Sequence, residues 1–89
     1  MAYSFVFLMD PYESLNLSTE TSLLLMDELL ARGQNVYWLQ AEDLSLQNDQ
    51  PVGRLYPLKS VKPFIRCAPE WRHLNAFDAL LVQIGRAHV

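Results

Sequence analysis

Two stretches of the chain are apolar at nearly every position, and a segment with helical spacing lies between them. The first, Phe5-Val6-Phe7-Leu8-Met9, puts apolar side chains on both parities, the pattern of a strand buried on both faces. Asp10-Pro11 stops it, because proline has a fixed φ and no N–H for a central ladder. From about Glu20 to Arg32 the spacing is helical. Leu23, Met26 and Leu30 share a face, and Leu25 and Leu29 widen it into the stripe of a helix laid on a sheet. Ser18 or Thr19 is the expected N-cap, Glu20 and Arg32 suit the two ends of the helix dipole, and Gly33 is the expected left-handed C′ residue. Val36-Tyr37-Trp38-Leu39 follows at once with β-forming residues. Strand, helix and strand then form a right-handed βαβ unit with parallel strands.

Beyond Ala41 the pattern turns polar. Leu44-Ser45-Leu46 alternates, Gln47-Asn48-Asp49-Gln50-Pro51 has turn chemistry, and Val52 to Leu58 resumes β character, which predicts a hairpin on or off the sheet edge. Pro57 and Pro63 mark interruptions or an edge, Phe64-Ile65-Arg66-Cys67 a further short strand, and Pro69 the first position of a helical turn over Glu70 to Leu74. The second apolar run, Ala79-Leu80-Leu81-Val82-Gln83-Ile84, predicts a buried parallel strand beside the first. The fold expected from these elements is one α/β domain over residues 1–89. It has an open, mostly parallel sheet with a β-hairpin and stops before the covering C-terminal helix of doubly wound folds. That missing cover suggests a piece of something larger, or a partner that supplies the rest.

Composition narrows the function classes. A length of 89 residues fits one small domain, and an apolar fraction of 51% is high enough to leave apolar surface for something else to cover. The net charge of −3 and the scattered Arg and Lys residues argue against a nucleic-acid partner and read as a solvated face. Lone Cys67, read as a buried inert thiol, forms no internal disulfide and suits a reducing cytoplasm. The first apolar run is too short for a membrane span. Trp38 and Trp71 read as core or interface anchors. Neither G-x-G-x-x-G nor G-x-x-x-x-G-K-[ST] occurs, which disfavours a nucleotide-binding domain of another class, and His73, His88 and Cys67 lack metal-ligand spacing.

Asp10 is the polar residue with a positional argument. A carboxylate at the C-terminal end of a buried parallel strand lies on the edge where open α/β sheets hold ligands. The alternative is that Asp10-Pro11 only ends the strand and starts a turn. The connection from Met9 to the helix is longer than the usual ~2–6 residues of a βα loop, and it leads to the free N–H groups of a helix start.

Phe7-Leu8-Met9-Asp10-Pro11, then Leu15-Asn16-Leu17 before a helix, resembles the opening of bacterial glutathione synthetases. The likeness continues through Leu30-Ala31-Arg32-Gly33, Val36-Tyr37-Trp38, Asp43-Leu44, the hairpin to Arg54 and Phe77-Asp78-Ala79-Leu80-Leu81-Val82. It is weakest between Ser60 and Asn75. The resemblance implies a Rossmann-like, pre-ATP-grasp N-terminal domain. In the full-length family enzyme this domain borders the cleft in which γ-glutamylcysteine is joined to glycine with ATP and Mg²⁺. It implies Asp10, Pro11, Asn16 and Ser18 as substrate-binding candidates, with no catalytic, cofactor-binding or metal residue in this chain. It also implies ATP-grasp domains, of the same enzyme or of a partner chain, as the partners. Where the family shows an Arg and an Asp-Pro-Pro loop after the last strand, this chain has Gln83 followed by Ile84-Gly85-Arg86-Ala87-His88-Val89. The expectation is a domain that is not catalytic alone. The rival expectation is a stand-alone interaction or dimerisation module derived from it, a homo-oligomer without nucleic-acid or membrane contacts.

Overall fold

A computed structural model describes residues 2–9 and 17–83. Strand β1 (Ser4–Met9) is followed by helix α1 (Leu17–Ala31) and strand β2 (Asn35–Gln40). A 3₁₀ turn (Ala41–Asp43) leads into β3 (Leu44–Gln47), the long β4 (Gln50–Val61), β5 (Phe64–Arg66) and β6 (Glu70–His73). A second 3₁₀ turn (Leu74–Ala76) then precedes β7 (Ala79–Gln83).

The β1–α1–β2 unit forms as its sequence pattern predicts, with β1 and β2 parallel and Phe7 opposite Trp38. Strand β7 joins β1 on its other edge, also parallel, with Phe7 opposite Leu81. The adjacency of the two apolar runs is therefore real. Their entry ends are tied by a reciprocal pair of bonds: Ser4 N–H donates to Asp78 Oδ2 (2.8 Å) and Asp78 N–H donates to the Ser4 carbonyl (2.9 Å).

The remainder of the sheet departs from the mostly parallel expectation. Strand β4, 12 residues long, pairs antiparallel with β2, β3, β5 and β6. The seven-stranded sheet is thus mixed and curled, with the path β3-β4-β2-β1-β7 and with β5 and β6 also on β4. The hairpin closes through Asn48 and Asp49, both at positive φ (52° and 65°), the two-residue turn geometry that matches strand twist. Pro57 does not interrupt β4. It sits opposite Tyr37, and its carbonyl accepts a bond from Cys67 N–H at 2.7 Å. Pro63 lies in the β4–β5 turn, after a cis Lys62–Pro63 bond. The helical turn expected after Pro69 is instead β6, because Glu70–His73 find ladder partners along Val52–Leu55. Local sequence cannot reveal a partner strand that far away.

Side-chain parity divides the core into two clusters. On one face Phe7, Met9, Val36, Trp38, Leu58 and Val61 pack with Met26, and with partly buried Leu23, Leu29 and Leu30 of α1. A bulge in β4 between Leu58 and Ser60 lets both Leu58 and Val61 point to this side. On the other face Val6, Leu8, Leu39 and Leu55 pack under Tyr37, Leu74 and Phe77. The second 3₁₀ turn and Phe77, with the Arg72 guanidinium 4.9 Å from its ring centroid, therefore cover part of the face opposite α1. Strand β1 is buried on both faces, as its pattern requires.

Three burial expectations fail. Leu25 is exposed, so the helix stripe is narrower than its leucines suggest, and buried Ser22 takes a place one turn before Met26. Leu80 and Val82 are 49% and 59% exposed, because β7 is the last strand of the path and the second-face cover ends before it. Cys67 is exposed at the end of edge strand β5, not buried. Among the described residues helix α1 already includes Leu17, so Ser18 and Thr19 lie within the helix and not before it. Its C-terminal end matches expectation: Gly33 has φ 81°, and the bonds Gly33 N–H to Leu30 O and Gln34 N–H to Leu29 O (each 3.0 Å) complete a Schellman motif.

Candidate functional site

The parallel part of the sheet reads β2-β1-β7. From β1 the chain passes through α1 to β2 on one side and returns later to β7 on the other. The order reverses at β1, which makes the carboxyl ends of β1 and β7 a topological switch point, where open α/β sheets form a ligand crevice. Met9 closes β1 in register with Gln40 of β2 and Gln83 of β7, so the three carboxyl ends form one row. Asp10 follows Met9 directly in the sequence. Asp10, Pro11 and Asn16 lie outside the described residues. Of the four candidates the structure places the backbone of Ser18, in helix α1.

The rim beside Met9 carries polar chemistry that the sequence pattern did not flag. Trp38 Nε1–H donates to Gln40 Oε1 (3.2 Å), and Gln40 Nε2–H donates to Glu42 Oε2 (2.9 Å). The chain of bonds holds the Gln40 amide at the end of β2 and orients the carboxylate of Glu42 in the following 3₁₀ turn. Next to it Asp43 Oδ1 lies 3.5 Å from Arg54 Nη2, and the Arg54 guanidinium also donates to Tyr56 Oη (3.1 Å). The available signal was register alone: Gln40 ends β2 at the level where Met9 ends β1.

The basic residues are only partly the solvated face that composition suggests. Arg66 lies 4.2 Å and Arg54 5.7 Å from the Tyr56 ring centroid, and Arg72 stacks on Phe77. A hydrogen bond from Arg72 to Glu70 (3.0 Å) raises the guanidinium pKa further, against a smaller desolvation in the opposite direction. Arg72 thus remains a cation at every accessible pH.

A groove of about 350 Å³ lies elsewhere, across β3, β4 and β6, and is lined by Ser45, Leu46, Gln47, Val52, Trp71, Arg72 and His73. It shares no lining residue with the carboxyl row of β1. Trp71 stands 61% exposed beside it, whereas Trp38 is fully buried, so the two tryptophans divide between surface and core. Among the described residues no three His, Cys, Asp or Glu side chains come together in the way that holds a metal ion.

Comparison with known proteins places this architecture. The family profile of the prokaryotic glutathione synthetase N-terminal domain matches residues 3–84. A glutathione synthetase from Nitrosomonas europaea is 29% identical over 89 aligned positions, covering 86% of this chain and 26% of the relative. The chain thus spans about a quarter of the length of that relative. The match runs from before β1 to the end of β7, taking in the hairpin and the β6 region where the motif likeness is weakest. The chain belongs to the prokaryotic glutathione synthetase N-terminal domain family.

Proposed function

We propose that this chain is the substrate-side domain of a glutathione synthetase, a pre-ATP-grasp domain that borders the site where γ-glutamylcysteine meets glycine and that does not catalyse ligation by itself. The observation that carries the reading is the switch point at the carboxyl end of β1, in a chain of this family. In this reading Asp10, Pro11, Asn16 and Ser18 line the mouth for the peptide substrate. The N–H groups of the first helical turn, which have no acceptor within a helix, would meet a substrate carboxylate, and the Gln40–Glu42 pair borders the same rim. ATP and Mg²⁺ are held by ATP-grasp domains, which are this domain's partners, and a reducing cytoplasm suits the exposed thiol of Cys67.

The test uses the purified chain with ATP, Mg²⁺, γ-glutamylcysteine and glycine. The expected result is no glutathione by mass spectrometry and no phosphate release. An NMR titration with γ-glutamylcysteine alone should move amide signals of Met9 to Ser18 and leave those of Trp71 and His73 in place. ATP-dependent glutathione formation would overturn the non-catalytic part of the reading. Shifts centred on the β3–β4–β6 groove would overturn the placement of the peptide mouth.

A further inference from the structure

We propose that the groove across β3, β4 and β6 binds a small anionic ligand with a planar aromatic ring, the ring stacked on Trp71 and the anion held by Arg54. Strand register brings these two residues together. Ser45 and His73 lie opposite Val52, and Trp71 lies opposite Arg54. Residues directly opposed in an antiparallel pair share a face, as do alternate residues along a strand. Ser45, Val52, His73, Trp71 and Arg54 therefore belong to one face, which Tyr56 continues toward Trp38. The groove, at about 350 Å³, falls in the size range of small-ligand pockets. Val52 is the buried apolar residue of its lining, and the exposed indole of Trp71 stands beside it. Among the described residues, the side chains of Gln47, Trp71 and His73 have no hydrogen-bond partner in the protein. A docked domain covers a broad surface with an apolar centre. This lining is concave and carries Ser45, Gln47, Arg72 and His73, which suits a small molecule with donors and acceptors of its own.

Charge beside the groove supplies the second half of the ligand. Residues 50–69 hold Arg54, Lys59, Lys62 and Arg66 and no Asp or Glu, in a chain with 10 acidic residues and a net charge of −3. Arg54 Nη2 donates to Tyr56 Oη (3.1 Å) and lies 3.5 Å from Asp43 Oδ1, which fixes the guanidinium while its side chain stays 43% exposed. Its Nη1 has no acceptor among the described residues and is left for an anion. Arg66, opposite Leu58 on the same face and 4.2 Å from the Tyr56 ring centroid, adds a second cation. It forms no ion pair with a described carboxylate. Carboxylate and phosphate both accept charge-assisted bonds from a guanidinium, so the ligand class includes either anion on an aromatic ring. γ-Glutamylcysteine has no ring, and the inference is independent of the peptide-mouth reading.

NMR titration of the isotope-labelled chain with naphthylacetate and with naphthyl phosphate tests it. The expected result is a saturable shift of the Trp71 indole N–H and the His73 amide, with the Trp38 indole N–H unmoved. Naphthylacetamide keeps the ring without the charge, and acetate keeps the charge without the ring. Each should bind at least about tenfold more weakly than naphthylacetate. Trp71→Ala and Arg54→Gln should each weaken binding by about tenfold, with circular dichroism checking the fold. The acetamide and acetate comparisons use the unaltered chain and hold whatever the stability of the variants. The tighter of the two naphthyl anions tells whether the site is matched to a carboxylate or a phosphate. No saturable shift at Trp71, equal affinity for the acetamide, or binding indifferent to Trp71→Ala would each overturn the inference.

Discussion

Trp38 and Trp71 show how little residue type says about position. Trp38 is fully buried, with its ring edge-to-face against Phe64 at 5.0 Å and its N–H satisfied by Gln40. Trp71, on edge strand β6, faces water over most of its surface. The two are therefore separable by fluorescence. Trp71→Phe should leave blue-shifted emission from the buried indole and change stability by no more than about 0.5 kcal/mol. Trp38→Phe should leave red-shifted emission and destabilise by about 1–3 kcal/mol in urea unfolding, through lost volume and a lost N–H bond. Emission unchanged by either substitution would contradict this division. Both tryptophans lie in strands of the structure; what separates them is the number of layers above and below.

At the level of elements, α1 and β4 carry different lessons. The helix was readable because its spacing repeats locally and its end is written in Gly33, whose positive φ needs no distant partner. Which leucines face the sheet was less readable, since Leu23, Leu24 and Leu25 are consecutive and only the docking angle chooses among them. The structure buries Met26 and exposes Leu24 and Leu25. Leu25→Lys should accordingly cost no more than about 0.5 kcal/mol, whereas Met26→Ala should cost about 2–5 kcal/mol, both by urea denaturation. Strand β4 lies at the other extreme. Its β character was visible, as was the Asn48-Asp49 turn, but its pairing with four other strands was not. The same missing information explains why the Pro69 to Leu74 segment suggested a helical turn: its ladder partner lies at Val52 to Leu55.

For the whole molecule, the organising fact is that β1 lies between β2 and β7 with clusters packed on both of its faces. Exposing its amides requires loss of most of the core. In native-state hydrogen exchange, the amides of Val6 to Leu8 should be among the slowest, and those of the edge strands β3 and β6 much faster. Faster exchange in β1 than in β6 would contradict the arrangement. The same centrality brings the carboxyl end of β1 to the switch point of the sheet, which is the edge that the end of the apolar run at Met9 pointed to; Asp10 and Pro11 themselves lie outside the described residues. The rim was not legible, because Gln40, Glu42, Asp43 and Arg54 converge there only through strand register and the curl of β4.

By itself the sequence determined what nearest neighbours decide: the doubly buried strand, the helix and its glycine stop, the tight turn, and the family motifs that follow from them. Each depends on side-chain periodicity or backbone preference within a few residues. Tertiary structure alone decided the mixed character of the sheet, the conversion of Glu70–His73 into a strand, and the exposure of Leu25, Cys67, Trp71, Leu80 and Val82. Those outcomes depend on which segments meet across long separations, where burial and ladder hydrogen bonds outweigh local propensity.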